Sequence, residues 1–496
     1  MTHLQRTSLF GSGTFWWLIP VLAAYGALLL AYPANAGFAL LAAVLAAVAV
    51  LTFISPLAGY VLMVGATLLF DQYRVPGFLP WTWQAGYLNN LKEIAYMPYF
   101  HAGMMTPLEV HLGVLVLAVF LRSVHRGGSG FRPWPALDLG LAMALAGWLA
   151  ASFALGVYRA GDPMIALWET RALGLFFIVL LLTPQVVRSE RDVRLVVWAV
   201  IAAVSFKALQ AVARFIAGGF STGGLPTLTS HEDAVFLNAL FLLLLGLWVY
   251  RAPGAHRTAL NWLLPLLLAG FFLSMRRAAY AALFVSLAGF LALQPWPTLR
   301  RLLRAAVPFA AAVLAYGAVG WGVDHPLTTP VQMVRSGLFA AGEAPGPDSG
   351  AGYSDDYYSN LYRNIENYNL AMTAREEPLL GTGFGRPYAM PVPLADISFP
   401  LRDYIPHNQI LWVLVKTGLT GFTLFWLFFH GVLIRGVQVV HRTRSPLLKS
   451  VLTMAMLMVP NQMVTSFLDL QLTYYRNMVF LGVLVGLLWS AKRGME

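Results

Sequence analysis

The chain contains no cysteine and few charged residues. The absence of cysteine excludes disulfide bonds, thiolate nucleophiles and cysteine-ligated zinc. Charged residues make up 11% of the 496 residues, whereas soluble domains carry about 25%. Apolar residues make up 58%, and the mean hydropathy is +0.66. Because no soluble core needs that much apolar sequence, we predict an all-α polytopic membrane protein.

The apolar residues form runs that are long enough to cross a bilayer. At about 20 residues per crossing, they predict about 14 transmembrane helices. No small-residue cleavage site leads into a soluble domain after Leu18, so a cleavable signal peptide is not expected. We expect a transmembrane bundle over 1–322, a large loop over 323–406 and C-terminal transmembrane helices over 407–496. The predicted spans lie near residues 14–32, 36–54, 56–70, 107–121, 136–155, 171–187, 195–216, 234–250, 259–275, 278–294, 305–322, 411–434, 447–466 and 474–490.

Basic residues are distributed unevenly between the two sides of these spans. If the N-terminus is cytoplasmic, the cytoplasmic segments hold 18 of the 33 Lys and Arg residues but only four acidic residues. The opposite side holds 15 basic and 18 acidic residues. By the positive-inside rule, both termini are then cytoplasmic. The net charge of +11 therefore reflects topology, and no nucleic-acid-binding motif accompanies it.

The largest polar segment, 323–406, lies on the outer side in this topology. Apolar residues recur at helical spacing over 358–372 and predict an amphipathic helix that carries Arg363 and Glu366. Pro378 is expected to end this helix. The segment is therefore predicted to be a large, partly helical periplasmic loop.

A histidine stands where this loop meets the next apolar run. The sequence from His407 reads HNQILWVLVKTGLTG and follows Pro406 directly. A neutral imidazole is the side chain best suited to take a proton near pH 7. Gly418 and Gly421 are predicted to share one helix face and to let another helix approach closely in lipid. Lys416 is expected only to face the headgroups.

These motifs resemble the signature of the O-antigen ligase and polymerase superfamily. In that family an arginine-bearing helix leads to a glycine-rich segment, which corresponds here to 363–374 and to PLLGTGFG at 378–385. The histidine–asparagine helix follows. A Ser-Arg-Gly-Ala-like element upstream resembles SMRRAA at 274–279, where the serine is displaced and the arginine is doubled. The three glycines of PLLGTGFG suit a phosphate-binding nest or, as we expect, a tight turn.

The resemblance implies a GT-C type membrane glycosyltransferase that uses neither a metal nor another cofactor. Such enzymes take a glycan from undecaprenyl diphosphate at the periplasmic face and transfer it to a sugar hydroxyl with inversion. His407 is then the expected catalytic base. Arginine offers phosphate a permanently charged planar fork, and fixed arginines can stabilise the charge that grows on the diphosphate. The candidate diphosphate-binding residues are Arg276, Arg277, Arg363, Arg386 and Arg476, with Arg277 favoured over Arg276.

Several of these residues also allow a purely structural interpretation. His407 could cap its helix or bind the loop, and Asn408 could cap the helix or bind the acceptor. Arg276 and Arg277 could be snorkelling anchors at a helix end. However, the positive-inside rule disfavours arginine on that side, so an anionic partner is the better explanation.

One short cluster, His231-Glu232-Asp233, resembles metal or acid–base chemistry. Three adjacent residues cannot all point to one side of a helix, so no metal site is predicted there. We interpret the cluster as a helix N-cap whose charge suits the helix dipole. The alternative is that His231 and Glu232 bind or support the acceptor.

Two classes of function remain open. The first is a glycosyltransferase: a polymerase of O-antigen or exopolysaccharide repeat units, or a ligase that acts on lipid A core or protein. The number of spans favours the polymerase. The second is a transporter or flippase of lipid-linked sugars, which would place charges near the bilayer midplane on broken helices. The expected partners are an undecaprenyl-diphosphate-linked glycan, a glycan acceptor, the bilayer of the bacterial inner membrane and other polysaccharide-assembly proteins.

Overall fold

The structure is a computed structural model in which the regular elements are helices. No strand occurs among the residues that it describes. This agrees with the prediction of an all-α chain. The described residues are 36–73, 81–93, 104–125, 132–221, 225, 227–323, 328, 331, 335, 351–397 and 399–491.

The α-helices of the described residues follow the predicted order of apolar runs. A short 3-10 helix, Leu91–Glu93, lies between the third and the fourth. The α-helices are α1 Ala36–Ile54, α2 Pro56–Leu69, α3 Trp81–Gln84, α4 Pro107–His125, α5 Ala136–Tyr158, α6 Pro163–Val186, α7 Glu190–Ala217, α8 Asp233–Val249, α9 Ala255–Leu273, α10 Arg277–Ala292, α11 Trp296–Gly320, α12 Ala351–Glu376, α13 Gln409–Arg442, α14 Pro446–Leu468 and α15 Tyr475–Ala491.

The apolar helices coincide with the predicted spans from the second to the last. Seven of the described helices are long and apolar enough to cross a membrane. Shorter apolar helices such as α8, α10 and α15 lie at three further predicted spans. The first predicted span, 14–32, lies outside the described residues. The chain is a multi-pass membrane protein, whereas the count of about 14 spans stays a prediction.

Helix α15 lies at the centre of the bundle, and its residues from Tyr475 to Ser490 are all buried. It packs against α6, α14 and α2. Helix α14 in turn packs against α8, α10 and α13. Helix α11 differs from these, because no residue of its most apolar stretch is buried. The core is therefore built around the C-terminal helices, which follow the histidine motif.

The amphipathic helix predicted in the large loop is present as α12, and Pro378 follows its end as expected. It packs against the beginning of α13. Leu370 of α12 and Tyr388 of the following segment are buried together with Val415 of α13. The loop helix is therefore held against the N-terminal part of the helix that carries the histidine motif.

Helix α13 is interrupted at Gly418, whose φ of 64° and ψ of −176° are not helical. The segment after α12 fills this interruption. The Leu419 amide donates to the Pro378 carbonyl at 2.7 Å, and the Gly383 amide donates to the Lys416 carbonyl at 3.0 Å. A buried break must have its backbone groups paired in this way, because lipid offers them no partner.

The helix-face role predicted for Gly418 is therefore wrong. A Cβ at Gly418 would lie 2.3 Å from the Leu379 carbonyl oxygen, so the residue faces loop backbone rather than another helix. A Cβ at Gly421 would lie 2.4 Å from the Trp148 ring on α5, so this glycine does allow a close helix approach. The two glycines serve different purposes because the helix breaks at the first of them.

The three glycines of PLLGTGFG form tight turns, as expected. Gly381, Gly383 and Gly385 have φ values of 74°, 81° and 82°, which favour glycine. Their neighbourhood leaves no free nest of amides. The Phe384 amide donates to the Ser152 carbonyl at 3.2 Å, and the Gly385 amide donates to the Glu169 carboxylate. The segment therefore joins α5, α6 and α13 instead of holding a phosphate.

Lys416 does not face the headgroups. Its side chain and that of Glu169 on α6 are both 0% exposed, and Nζ lies 2.7 Å from Oε1. Nζ also donates to the Arg386 carbonyl, and the Trp412 indole donates to Glu169 at 3.3 Å. A charge in the membrane core needs an opposite charge close by. This ion pair therefore connects the N-terminal part of α13 to α6 and to the segment after α12.

We predict that the Glu169–Lys416 pair is a major contributor to stability. Lys416→Met should lower the free energy of unfolding by about 3–5 kcal/mol, because it leaves an unpaired buried carboxylate. Arg194→Met is the matched control, since Arg194 is 56% exposed and pairs with Glu190 at the surface, where such pairs are worth about 0–1 kcal/mol.

Unfolding of the purified variants by heat or by SDS would measure both effects. The double variant Glu169→Gln with Lys416→Met should recover part of the loss, because no lone buried charge remains. Equal stability of Lys416→Met and Arg194→Met would contradict the assignment.

Candidate active site

His407 lies at the N-terminal end of α13, directly before the residue that caps this helix. Asn408 Oδ1 accepts a hydrogen bond from the Leu411 amide at 3.1 Å. Its Nδ2 donates to Asn367 Oδ1 on α12 at 3.0 Å. The capping role weighed for Asn408 is thus present, and the same side chain connects the helix start to the loop helix.

A buried glutamate holds the His407 ring. The His407 backbone amide donates to Glu366 Oε2 at 2.9 Å, and His407 Nδ1 lies 3.2 Å from Glu366 Oε1. The glutamate side chain is 2% exposed, whereas the histidine side chain is 24% exposed. Tyr362 packs edge-on against the imidazole, with 5.6 Å between ring centroids. With Nδ1–H directed at the carboxylate, Nε2 becomes the proton acceptor, as a general base requires.

A second carboxylate, Asp469, contacts two basic side chains near this pair. Asp469 follows α14, and its Oδ2 lies 3.4 Å from His231 Nδ1 and 3.7 Å from Arg276 Nη1. Burial by itself would raise the pKa of Asp469. The adjacent His231 and the charges of Arg276 and Arg363 outweigh burial and hold the pKa below its usual range. Asp469 is therefore an anion in a cationic setting.

The two arginines of the SMRRAA element have different partners. Arg276 points to Asp469, whereas Arg277 Nη2 donates to Asn360 Oδ1 of α12 at 3.5 Å. They follow Met275, whose φ of 51° is rare for a residue with a side chain and marks a sharp turn between α9 and α10. The turn thus directs one arginine to the Asp469 cluster and the other to the loop helix.

Arg386 lies apart from this group. Its Nη1 is 3.3 Å from Glu377, which also pairs with Arg159. Glu377 is eleven residues beyond Glu366, a distance of about 16 Å along a helix. The structure therefore does not bring Arg386 together with Arg276, Arg277 and Arg363.

The side chains of His407, His231 and Arg276 are partly exposed, and together with Glu366 and Asp469 they form the group that we call the cleft. Arg476 is placed in the core and does not belong to this group. Its side chain is 0% exposed and lies 2.6 Å from Asp233, with Asp71 and Glu232 each at 3.7 Å. Lys207 joins the same network through Asp71 at 2.7 Å. Because its guanidinium is surrounded by carboxylates and closed to solvent, we correct the assignment of Arg476 from donor binding to structural support.

Glu232 belongs to this network as well. The pKa of Glu232 is raised to about 7, mainly by burial. The positive charge of Arg476 opposes this increase, and the negative charges of Asp233 and Asp71 add to it. Glu232 occupies the cap position of α8 but makes no side-chain cap bond. Asp233, the first residue of α8, accepts a hydrogen bond at 3.1 Å from the amide of Ser230, which precedes the helix. The side-chain cap expected of this cluster is thus not formed by Glu232. Of the two residues proposed to support the acceptor, only His231 reaches the cleft.

Residues 262–426 match the family model described as O-antigen ligase. This segment is similar to the O-antigen ligase family. This confirms the predicted O-antigen ligase and polymerase superfamily. The match covers a third of the chain and contains Arg276, Arg277, Arg363 and His407. No curated protein sequence matches the chain.

Two residues of the candidate site had no assigned role in the sequence analysis. Glu366 was placed on the amphipathic helix, and its spacing of three from Arg363 puts both side chains on one face. That spacing could have identified it. Asp469 lies outside the matched segment, 62 residues beyond His407, and only its position at the outer end of a span distinguishes it. In the part of the chain that is described, no group of three His, Asp or Glu residues is arranged to bind a metal ion.

We predict that Glu366 supports His407 in catalysis. Glu366→Gln removes the charge that stabilises the protonated ring and should lower the transfer rate by about 10²–10⁴, the usual contribution of a general base. Glu377→Gln is the control, because this glutamate lies at the far end of the same helix with Arg159 and Arg386.

Initial transfer rates of the two purified variants, normalised to folded protein, would measure the difference. Wild-type rates in Glu366→Gln would mean that His407 does not depend on this carboxylate.

Proposed function

We propose that this protein is a membrane glycosyltransferase that moves a glycan from an undecaprenyl diphosphate donor to a sugar hydroxyl. The observation that supports the proposal best is the His407–Glu366 dyad, which lies with Arg276 in the segment that matches the O-antigen ligase family, while Asp469 from beyond that segment contacts Arg276. A base and a set of cations in one cleft are what this transfer requires. The active site then lies at the periplasmic face of the bacterial inner membrane, and both termini are cytoplasmic.

The proposed reaction is a single displacement. The acceptor oxygen attacks the anomeric carbon, and its proton moves to His407 Nε2. The bond between the anomeric carbon and the phosphate oxygen breaks, and the electron pair stays on the diphosphate. Attack from the face opposite the leaving group inverts the anomeric centre. Arg276, Arg277 and Arg363 stabilise the growing negative charge as fixed donors, so no metal ion is needed.

The position of the charged groups favours an enzyme over a transporter. A transporter would place its charges near the bilayer midplane, on broken helices that line a cavity. Here the cleft is built from helix ends: His407 precedes α13, Arg276 precedes α10 and Asp469 follows α14. The break in α13 is filled by loop backbone rather than open to a cavity. These features support chemistry at one face of the membrane.

Within the family, we propose a polymerase of O-antigen or exopolysaccharide repeat units. The described helices at the predicted spans, together with the predicted span at 14–32, support the larger span number of a polymerase. The alternative is a ligase that transfers the finished glycan to lipid A core or to protein. The two differ in acceptor: a polymerase uses a second copy of the lipid-linked glycan, and a ligase uses a different molecule.

The test is transfer in proteoliposomes that contain purified protein and lipid-linked glycan extracted from cells lacking this gene. We expect longer lipid-linked glycans from the donor alone. His407→Ala should reduce the rate by at least about 10²-fold, because the base is lost. His441→Ala is the matched control, since His441 lies at the far end of α13 and bonds only to the Val437 carbonyl.

The length of the glycan product on gels distinguishes a polymerase from a ligase. Elongation only after addition of lipid A core or an acceptor protein would favour the ligase. A folded His407→Ala protein that transfers at the wild-type rate would contradict the base assignment.

The arginine cluster makes a separate prediction. Arg276→Lys, Arg277→Lys and Arg363→Lys should each slow transfer by about 10–100-fold, because a point charge cannot replace the planar fork and a charged hydrogen bond is worth about 1.5–3 kcal/mol. Arg386→Lys should remain near the wild-type rate, since Arg386 pairs with Glu377 away from the cleft.

The same assay with EDTA tests the metal-independent step. We expect unchanged rates in the chelator. Loss of transfer in EDTA and its return with Mg²⁺ or Mn²⁺ would show that the arginines do not replace a metal.

A further inference from the structure

The cleft contains a second histidine–carboxylate pair, His231 and Asp469. His231 Nδ1 is buried and lies 3.4 Å from Asp469 Oδ2, yet the side chain as a whole is 40% exposed. The exposed part must therefore be the opposite edge of the ring, which carries Nε2. His407 is arranged in the same way against Glu366. Two imidazoles thus present an Nε2 edge, each with a carboxylate behind it.

The two rings differ in their surroundings. Asp469 also contacts Arg276 at 3.7 Å, so the carboxylate behind His231 is shared with a permanent cation. Burial lowers the pKa of His231, the charges of Arg276 and His407 lower it further, and Asp469 opposes them. Without a bound anion, the neighbouring Arg276 thus disfavours the protonated form of His231. The charged or titratable groups around the ring are Asp469, Arg276, His407, Arg363, Tyr474 and Glu232.

A diphosphate in the cleft would reverse this balance. Its negative charges would attract Arg276 and Arg363, which now act on Asp469. The negative charge of Asp469 would then act mainly on His231. The negative charge of the diphosphate would lie at the exposed Nε2 edge of the same ring. Both changes favour the imidazolium form, because an opposite charge nearby stabilises the charged state of a group.

We propose that His231 is a proton-dependent part of the donor site, which takes up one proton when the lipid-linked diphosphate binds and uses it to hold the leaving diphosphate. This inference rests on the proposed function. Asp469 is the fixed counter-ion, so Nδ1–H stays in place and the new proton resides on Nε2. His231 and His407 then act in opposite protonation states.

The proton balance of the transfer step is consistent with these roles. The acceptor hydroxyl gives its proton to His407 as its oxygen bonds to the anomeric carbon. The electron pair of the broken bond stays on the phosphate oxygen, and the His231 imidazolium donates a hydrogen bond to that oxygen. When the diphosphate product leaves, His231 returns its proton to solvent and becomes neutral again.

The test is calorimetric titration of the purified full-length protein in detergent. The probe is a farnesyl diphosphate esterified to N-acetylglucosamine, whose two esterified phosphates do not titrate near pH 7. Titration in buffers of different ionisation enthalpy reports the protons taken up. We expect uptake approaching one proton per bound probe at neutral pH. Affinity should fall as the pH rises from 6 to 8, by up to about tenfold per pH unit between the free-state and the bound-state pKa of His231.

Substitutions of the two histidines identify the residue that takes up the proton. His231→Gln should bind the probe more weakly and without proton uptake, and its affinity should not depend on pH. His231→Asn is a second variant that tests the same expectation. His407→Gln is the matched control, because it removes the other imidazole of the cleft and should keep the uptake. Size-exclusion profiles and thermal unfolding identify folded variants.

The outcomes separate this inference from the proposed function. Binding without proton uptake by the wild-type protein overturns the inference whatever the variants do. Uptake that persists in His231→Gln, or that disappears in His407→Gln, also overturns it. Failure of the wild-type protein to bind the probe would instead contradict the donor site of the proposed function. An affinity for the probe that Arg276→Ala leaves unchanged would contradict it as well.

Discussion

The break in α13 at Gly418 is the constraint on which the rest of the site depends. Backbone groups freed inside a membrane must find protein partners. Here the segment after α12 supplies them, through Pro378, Thr382 and Gly383. The Glu169–Lys416 pair then locks this segment and α13 to α6. Since α12 leads directly into this segment, its C-terminal end is fixed beside α13, and Glu366 of α12 contacts His407.

Carboxylates contact the basic residues around the candidate site in two different arrangements. In the core, Arg476 and Lys207 are enclosed by Asp71 and Asp233, which leaves them no role at the surface. In the cleft, Arg276 has a longer contact with a single shared carboxylate, Asp469. A diphosphate can therefore compete for the cations of the cleft but not for those of the core. The number of acidic partners therefore separates the arginine of the core from the one that we propose to bind the donor.

Much of the fold follows from the sequence. Membrane location, the positions of the apolar helices, α12 and the stop at Pro378 depend on local hydropathy and spacing, so they could be read without a structure. The cap formed by Asn408 is equally local. His407 and the doubled arginine were found through motifs, and the O-antigen ligase match includes both. The first predicted span and the termini lie outside the described residues and remain predictions.

Tertiary structure alone decided which polar residues meet. Arg386 and Arg476 look like Arg276 in the sequence, but each pairs with acids from distant segments. Glu366 and Asp469 gain importance only because they fold against His407 and His231. The sequence determined the helices and their environment, since hydrophobic length and periodicity are local properties. The site depends on contacts between residues far apart in the chain, and no local pattern records which of them become neighbours.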